Sequence, residues 1–370
     1  MNSLVLYRKY RPKTFAEIVG QEHVVQTLTN AISSGMTSHA YLFSGPRGSG
    51  KTTTARLLAK SVNCLNRKEG TAEPCNKCSS CLEIMENRFL DLIEIDAASH
   101  RGIDEIRELR DGIKFAPAKA KYKVFIIDES HQLTKEAANA LLKTLEEPPS
   151  HAIFVLATTE IHKMIPTIIS RCQRFDFRKL TLPEIAKRLE DISKKEEAKI
   201  EKPALELIAL NAGGSVRDAE SLLDQVLTFS GASGKEIKVE NIKDLLGLVE
   251  ISTVSKFTDF LCQKKAAAAL DFLNKITEKG SDLQQFSKSL INYLRQVLIL
   301  KISGSETKNP IISGFTKEDL EKLKAQADSL KEEDLHRTIN LFLEAESKMR
   351  YSSIPQLPLE LAIIESCQLV

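Results

Sequence analysis

The chain has 370 residues, of which 42% are hydrophobic and 28% charged, and a formal net charge of +2. This length predicts two or three domains, since a domain usually spans roughly 100–200 residues. The near balance of 52 basic and 50 acidic residues argues against a protein that binds nucleic acid through bulk positive charge. No apolar run approaches the roughly 18 residues that a membrane span needs, and the chain turns basic before a signal-peptide core could form. We therefore expect a cytoplasmic protein with no membrane association.

Residues 1 to about 178 alternate short apolar runs with helical patterns. The apolar runs are residues 40–44, 91–95, 123–127 and 153–157. Short apolar runs that helical stretches separate are typical of a parallel sheet buried on both faces. This region is therefore predicted to be an α/β domain.

The rest of the chain is predicted to be helical. Thr181-Leu-Pro-Glu184 is a capping-box pattern, and Ile185, Leu189 and Ile192 follow it at helical spacing. We predict one small helical domain over residues 179–242 and a second all-helical domain over residues 243–370. The predicted linkers are residues 178–180 and 230–238, the latter because it contains Ser-Gly-Ala-Ser-Gly.

A glycine-rich segment follows the first apolar run. Gly45-Pro-Arg-Gly-Ser-Gly-Lys-Thr52 matches the pattern G-x-x-x-x-G-K-[ST] in full and precedes a helical stretch. Glycines in such a loop let successive backbone N–H groups turn toward phosphate oxygens, and the start of the following helix adds partial positive charge. Lys51 is predicted to bridge the β- and γ-phosphates of a nucleotide, and Thr52 to hold Mg²⁺. The residues predicted to contact the nucleotide here are Gly45, Pro46, Arg47, Gly48, Ser49, Gly50, Lys51, Thr52 and Thr53.

A second apolar run, Val124-Phe-Ile-Ile-Asp-Glu129, ends in two carboxylates. Because ligands of parallel sheets lie beyond the carboxyl ends of the strands, Asp128 is predicted to help hold Mg²⁺ and Glu129 to polarise the attacking water. Alone, the pattern is equally typical of a strand that ends at a solvated acidic turn, and the phosphate loop upstream favours the catalytic interpretation. His131 completes Asp-Glu-Ser-His, which resembles the DExH box of superfamily 2 helicases, but a single histidine more often serves packing.

Hydroxyl and arginine side chains supply further candidates. Thr158 and Thr159 end an apolar run, where they could sense the γ-phosphate or orient water, and a plain strand end is the alternative. Arg171 lies in Ser170-Arg-Cys172. A guanidinium suits a phosphoryl-transfer transition state, so the hypotheses are an arginine finger and a surface cation. Arg217 lies in the first turn of a helix that Ser215 is predicted to cap, and contact with a phosphate and a plain surface position both stay open.

Four of the seven cysteines are clustered, at Cys64, Cys75, Cys78 and Cys81. Two consecutive C-x-x-C steps bring three thiols together, and the fourth comes from the end of the helix after the phosphate loop. Four thiolates complete a tetrahedral Zn²⁺ site and leave no open position, which predicts a structural zinc site. The alternatives are reduced free cysteines and a redox pair.

Together these segments resemble the gamma/tau subunits of bacterial DNA polymerase III, the ATPases of the sliding-clamp loader. The resemblance covers residues 7 to about 225, in the family's order. It implies an α/β P-loop AAA+ module over residues 1–178 with an inserted zinc module at about 62–84, a helical lid over 179–242 and an all-α C-terminal collar domain over 243–370. The further matching segments are Tyr7-Arg-Lys-Tyr-Arg-Pro12, Val19-Gly-Gln-Glu-His23, Asp96-Ala-Ala-Ser99, Leu141-Leu-Lys-Thr-Leu-Glu-Glu-Pro-Pro149 and Gly214-Ser-Val-Arg-Asp-Ala219.

The resemblance also implies roles and partners. Arg171 would act on the ATP of an adjacent subunit, and Arg217 would sense the nucleotide from the lid. Arg8, Arg11 and Val19 fall where the family's N-terminal segment contacts the nucleotide. The implied cofactors are ATP, Mg²⁺ and structural Zn²⁺. The implied partners are the delta and delta-prime subunits, further gamma/tau copies in a pentameric hetero-oligomer, the sliding clamp and primer–template DNA.

The chain ends at Val370, where the family's collar is expected to end, so we expect a short or truncated form without a tail that tethers helicase or polymerase. Two other functions stay open. The Asp-Glu-Ser-His run suggests a DNA helicase of DExH or AAA+ type, but residues 243–370 show no strand pattern for a second RecA-like domain. A non-hydrolysing clamp-loader scaffold is disfavoured because the phosphate-loop and acidic residues are intact.

Overall fold

The computed structural model describes residues 4–99, 112–113, 115–230, 236–245, 251–278, 280, 282–303 and 317–368. The chain divides into an N-terminal unit, residues 1–239, and a C-terminal unit, residues 240–370. Most of the predicted linker at residues 230–238 lies outside the described residues. In the part of the chain that is described, no helix is both long and apolar enough to cross a membrane.

The N-terminal unit is built on a parallel sheet, as predicted. The strands are β1 (Ala40–Ser44), β2 (Leu92–Asp96), β3 (Lys123–Asp128), β4 (Ala152–Thr158) and β5 (Gln173–Asp176). Within the described residues their order is β2-β3-β4-β1-β5, and every pairing is parallel. The carboxyl ends of neighbouring strands therefore meet at one edge, where Ser44 pairs with Thr158 and Asp96 pairs with Asp128.

The last strand, β5, was missing from the sequence prediction. Its sequence, Gln-Arg-Phe-Asp, contains one apolar residue, Phe175, and the other three side chains are exposed. The strand forms because it pairs along β1 at the margin of the sheet. A strand that forms by such pairing does not need an apolar run in its sequence. The strands β1 and β4, in contrast, are buried along their whole length and are apolar for that reason.

Helices cover both faces of this sheet. The helices of the sheet region are α1 (Leu6–Lys9), α2 (Glu22–Ser33), α3 (Lys51–Val62), α4 (Ser79–Met85), α5 (Lys135–Glu146) and α6 (Pro166–Ile169). Alternate side chains of β1 point to opposite faces, so Tyr41 and Phe43 pack in a core with α2 and α3 while Leu42 packs in a second core with α5. Short 3-10 turns occupy Phe15–Glu17, Ser130–Gln132 and Ile161–Lys163.

Helices follow the sheet along the chain: α7 (Leu182–Lys195), α8 (Lys202–Asn211), α9 (Val216–Ser230) and α10 (Val239–Leu245). The predicted capping box is present at the start of α7, where Glu184 Oε2 accepts the Thr181 backbone N–H at 2.8 Å. Ile185, Leu189 and Ile192 are buried, as their spacing predicts. Ser215 caps α9 through its hydroxyl, which accepts the Asp218 backbone N–H at 3.2 Å.

Arg178 ties the predicted linker at residues 178–180 to the helix that follows it. Its guanidinium donates to both carboxylate oxygens of Glu184, at 2.9 and 2.6 Å, and lies 3.5 Å from Glu22 of α2. This Arg178–Glu184 pair, with support from the Thr181 backbone N–H, lowers the pKa of Glu184 from 4.5 to about 2. The pair therefore joins the end of β5 to the first turn of α7.

Replacing Glu184 with glutamine is expected to destabilise the N-terminal unit at neutral pH by about 1 kcal/mol, because a partly exposed pair is screened by solvent. A carboxylate whose folded-state pKa is lowered stabilises the fold above its unfolded pKa. That stabilisation is lost as pH falls through the folded pKa, so the difference between the two proteins should shrink from pH 4.5 to about 2. Thermal unfolding of both proteins across this range is the measurement. A difference that does not change with pH would contradict the assignment.

The C-terminal unit is all-helical in its described residues, as predicted. Phe257 lies at its centre, with its ring 5.1 Å from that of Phe286 and 6.3 Å from that of Phe342. The helices of this unit after α10 are α11 (Ile251–Cys262), α12 (Ala266–Glu278), α13 (Leu283–Ser303), α14 (Lys317–Ser329), α15 (Glu332–Met349) and α16 (Leu357–Gln368).

A buried polar junction joins three of these helices. The Gln326 amide of α14 donates to Asp259 Oδ1 of α11 at 2.6 Å and to the Ser255 carbonyl at 2.9 Å. Its oxygen accepts the hydroxyl of Tyr293 in α13 at 2.7 Å. Burial raises the pKa of Tyr293 to about 12, so the phenol stays protonated and able to donate.

Candidate nucleotide-binding site and cysteine cluster

The glycine-rich loop lies between β1 and α3, as the motif predicts. Gly48 has a φ of 72°, and a Cβ placed on it would lie 1.9 Å from Ser215 Oγ. Gly45 has a φ of 150°, and its Cβ would lie 2.3 Å from the Phe177 carbonyl oxygen. Only glycine permits both the backbone conformation and this close packing. The loop is thus in direct contact with the start of α9, whose Val216 N–H donates to the Gly48 carbonyl at 3.3 Å.

The ammonium group of Lys51 points into the loop, and the hydroxyl of Thr52 points to the edge of the sheet. Lys51 Nζ is buried and donates to the carbonyls of Gly45 and Pro46, at 2.7 and 2.9 Å. Burial lowers the pKa of Lys51, and the nearby carboxylates of Glu129 and Asp128 act in the opposite direction. Thr52 Oγ1 donates to Asp128 Oδ2 at 2.7 Å. The predicted lysine and magnesium ligands are therefore brought together across the loop and β3.

Glu129 follows β3 in a left-handed backbone conformation, with φ 47° and ψ 42°. Such a conformation costs about 1–3 kcal/mol in a residue other than glycine and is common at active sites. It lets the Glu129 backbone N–H donate to Asp128 Oδ1 at 3.0 Å, while Thr159 Oγ1 donates to Glu129 Oε2 at 2.9 Å. The carboxylate predicted to activate water is thus held by a hydroxyl from the tip of β4.

Thr158, the other predicted hydroxyl, lies in a different environment. It is fully buried, and its Oγ1 accepts the Glu160 backbone N–H at 3.0 Å and lies 3.0 Å from His131 Nδ1. The His131 side chain is only 4% exposed and lies between two carboxylates: Nδ1 is 3.5 Å from Glu129 Oε2, and Nε2 is 3.1 Å from Glu160 Oε2. The His131 imidazole therefore connects Thr158 to Glu129.

A cavity of about 360 Å³ opens at this edge of the sheet. It is walled by the phosphate loop, the N-terminal segment, the ends of β2 and β3, and the helices after the sheet. The predicted site residues that line it are Arg11, Val19, Arg47, Gly48, Ser49, Gly50, Lys51, Thr52, Thr53, Asp128, Glu129 and Arg217. Gly45 and Pro46 contribute through their carbonyls, which accept from Lys51.

Arg8 and Arg171 are predicted site residues that do not line the described cavity. The Arg8 guanidinium lies 5.8 Å from the ring centroid of Tyr7, which does line it, and Arg217 lies 4.9 Å from the same ring. Arg171 donates to the Thr167 carbonyl at 2.8 Å and to Glu146 Oε1 at 2.5 Å. Arg171 therefore lies apart from the phosphate loop of its own chain.

Nine lining residues were absent from the predicted site, among them Tyr7, Asp96, Arg188 and Glu220. Arg188 Nε donates to Glu220 Oε1 at 3.0 Å, with the side chains only 10% and 6% exposed. Burial raises the pKa of Glu220 despite this partner. These two residues lie on α7 and α9, and no local motif marks them. Tyr7 and Asp96 do lie in segments that match the family, which was the available signal.

The four clustered cysteines converge as predicted. Their Sγ atoms all lie within 4.8 Å of one another, with Cys64 and Cys78 at 4.0 Å and Cys75 and Cys81 at 3.9 Å. A tetrahedral ion with metal–sulfur bonds of about 2.3 Å requires sulfur–sulfur distances of about 3.8 Å. The donor set therefore fits a tetrahedral metal ion.

Backbone N–H groups support thiolates in this cluster. Cys75 Sγ accepts from the N–H groups of Lys77 and Cys78, at 3.4 and 3.3 Å. The Lys77 hydrogen bond is the main reason that the pKa of Cys75 falls to about 6. Burial raises the pKa of Cys64 and Cys81. Neighbouring thiols with raised pKa values are thiols that a cation would help to deprotonate.

Known proteins match this chain along its whole length. The family model of the DNA polymerase III delta subunit matches residues 20–181, that of the clamp loader subunit ATPase lid domain matches 184–232, and that of gamma and tau domain III matches 237–370. DNA polymerase III subunit gamma of Buchnera aphidicola is 37% identical over 366 residues, which are 98% of each chain. The chain belongs to the DNA polymerase III gamma/tau family.

Longer relatives extend beyond the region that they share with this gamma/tau chain. The tau subunit of Bacillus subtilis is 44% identical over 372 residues, which cover all of this chain and 64% of that protein. The chain thus spans about two thirds of the length of that relative. Among solved structures, the RuvB Holliday junction branch migration motor of Thermotoga maritima aligns with 85% of this chain and 98% of its own, at 19% identity and a TM-score of 0.49.

Proposed function

We propose that this chain is an ATP-hydrolysing motor subunit of a bacterial DNA polymerase III clamp loader, which loads the sliding clamp onto primed DNA. One observation carries the proposal. The phosphate loop, Asp128 and Glu129 share one cavity at the carboxyl edge of the parallel sheet, where ligands of such sheets bind. Membership of the gamma/tau family supplies the biological setting.

Different residues of the cavity have different roles in the proposed phosphoryl transfer. The loop N–H groups and Lys51 bind the phosphates, and Thr52 and Asp128, whose side chains already meet at 2.7 Å, are oxygen ligands of the kind that Mg²⁺ prefers. A bound Mg²⁺ would supply positive charge that neutralises the phosphates during transfer. Glu129 orients the attacking water and accepts its proton, and Thr159 holds the Glu129 carboxylate in place.

Arg171 is proposed to act on the nucleotide of an adjacent subunit. Its position outside the cavity of its own chain supports a role in trans, since a guanidinium that acts in cis has to reach its own phosphate loop. Glu146 holds Arg171 at a partly exposed position. Arg217 is proposed to sense the nucleotide in cis, because it lines the cavity from α9.

The domain organisation is proposed to be an AAA+ module over residues 1–178, a lid over 179–242 and a collar over 243–370. The family models of the lid and of gamma and tau domain III, at residues 184–232 and 237–370, support this division. The cysteine module at about 62–84 is proposed to hold a structural Zn²⁺, because four thiolates in tetrahedral spacing are its preferred ligands. The proposed partners are delta, delta-prime, further gamma/tau copies in a pentamer, the clamp and primer–template DNA.

The two alternatives are weaker. A superfamily 2 helicase needs a second RecA-like sheet, and the described residues of the C-terminal unit contain only helices. His131, which suggested that function, contacts Thr158 and lies between two carboxylates without lining the described cavity. A non-hydrolysing scaffold does not need Glu129 held by Thr159 beside an intact phosphate loop.

The test is ATP hydrolysis by the chain assembled with delta, delta-prime, clamp and primed DNA. We expect hydrolysis to rise when clamp and primed DNA are both present, and Lys51→Ala to abolish both hydrolysis and clamp loading. Lys68→Ala, a change at an exposed lysine away from the cavity, is the matched control. Unchanged loading by Lys51→Ala would favour the scaffold, and strand displacement on forked DNA by the chain alone would favour the helicase.

A further inference from the structure

We infer that the cysteine module positions one wall of the nucleotide cavity, and that Glu73 is the positioning residue that connects them. The wall segment is defined here as residues 12–19. The inference rests on the proposed nucleotide site and deepens it, because it gives the metal centre a part in nucleotide affinity. It is carried by three contacts between the module and the wall segment.

Glu73 holds the middle of the wall segment through its carboxylate. Oε2 accepts the backbone N–H of Phe15 and Oε1 that of Ala16, both at 2.9 Å. These residues begin the 3-10 turn Phe15–Glu17, and the first N–H groups of a helical turn have no partner inside the turn. Hydrogen bonds to a carboxylate are about twice as strong as neutral ones. Glu73 therefore fixes a turn that is distant from it in the sequence and that it contacts only in the folded chain.

Lys60 makes the second connection. It lies near the end of α3, is 3% exposed, and its Nζ donates to the Lys13 carbonyl and to Asn76 Oδ1, each at 2.7 Å. Asn76 lies between two of the clustered cysteines and has a φ of 57°. One buried ammonium group thus joins the cysteine loop to the wall segment.

The third connection is apolar. Ala72 of the module and Phe15 of the wall segment, which is 1% exposed, are buried in the same core cluster. On its other side the wall segment faces the cavity, which is lined by Pro12, Glu17, Ile18 and Val19. The module therefore packs behind a segment whose front contacts the proposed nucleotide.

The cysteine cluster is what orders Glu73. Residues 66–74 read Asn-Arg-Lys-Glu-Gly-Thr-Ala-Glu-Pro, a composition that cannot build a core of its own. Glu73 lies two residues before Cys75, so a metal held by the cysteines fixes the loop that presents its carboxylate. Loss of the metal or of the carboxylate should release the same turn.

The experiment measures ADP affinity, metal content and hydrogen exchange of the Phe15 and Ala16 amides in the purified full chain. If the turn is ordered in about one tenth of Glu73→Ala molecules, ADP affinity falls about tenfold. We expect that weakening, loss of amide protection and unchanged metal content. Glu73→Gln, which keeps one acceptor oxygen, should have an ADP affinity between those of the wild type and Glu73→Ala. Glu69→Ala, an exposed glutamate of the same loop, should match the wild type.

Removal of the metal by a chelator should weaken ADP binding by the wild-type chain to a similar extent, and should add little to the effect of Glu73→Ala, because both act on one turn. Wild-type ADP affinity in both Glu73 variants, or chelator and Glu73→Ala effects that add in full, would overturn the inference alone. A wild-type chain that does not bind ADP would overturn the nucleotide site itself. If Glu73→Ala fails to fold, Glu73→Gln decides by the same measurements.

Discussion

Glu129→Gln is expected to lower kcat for ATP hydrolysis by about a thousandfold, within the range of about 10²–10⁴ that a positioned general base contributes. The amide keeps the shape of the side chain and can still accept the Thr159 hydroxyl, but it cannot take a proton from water. ATP affinity should stay within about twofold of the wild type, because phosphate binding falls to Lys51 and the loop N–H groups. Steady-state hydrolysis and nucleotide titration, both in the assembled loader, measure the two effects.

The matched control is Glu136→Gln, the same change at an exposed position of α5, which should leave both quantities unchanged. A Glu129→Gln protein with wild-type kcat would remove Glu129 from the proton transfer. A protein that loses affinity and kcat equally would instead place Glu129 in phosphate or Mg²⁺ binding. The readout therefore separates the chemical role from the binding role.

Cys78→Ser is expected to reduce bound metal from about one ion per chain to near zero, because a tetrahedral site of four thiolates loses a ligand. The cluster has little apolar core to replace the metal. We expect a destabilisation of at least about 3 kcal/mol, which lowers the Tm of the N-terminal unit by about 6–12 °C. Metal analysis and thermal unfolding measure the two changes.

Cys262→Ser makes the same chemical change in the C-terminal unit, outside the cluster, and should leave metal content unchanged. A Cys78→Ser protein that keeps a full complement of metal would refute the four-thiolate site. An unchanged Tm after metal loss would instead show that the loop is ordered by the contacts of Glu73 and Lys60 alone.

The parts of the site that the sequence predicts are those in which chemistry and local structure coincide. The phosphate loop, Asp128 and Glu129 each follow an apolar strand, so one pattern reports both the element and the residue. The four cysteines are predicted for a similar reason, since their spacing in the sequence is typical of a set of metal ligands.

The parts that escaped prediction depend on contacts between distant segments. The strand β5 has one buried side chain, Phe175, and forms through its pairing with β1. Arg188 and Glu220 meet only when α7 packs against α9. The sequence treats Thr158 and Thr159 alike, but Thr158 ends β4 with its side chain fully buried, whereas Thr159 follows the strand and donates to Glu129.

Gln326 limits which segments of this chain can be replaced by the corresponding segments of related proteins. Its amide satisfies polar groups of α11 and α13 at once, so changing it alone removes one hydrogen bond from the half-buried Asp259 and one from the buried Tyr293. A hydrogen bond contributes a net of about 0.5–1.5 kcal/mol to stability, and about 1.5–3 kcal/mol where one of its groups is charged. We therefore expect strong epistasis among positions 259, 293 and 326. A chimera that takes α14 alone from another gamma/tau chain should be less stable than a chimera that takes the residues of that chain at all three positions.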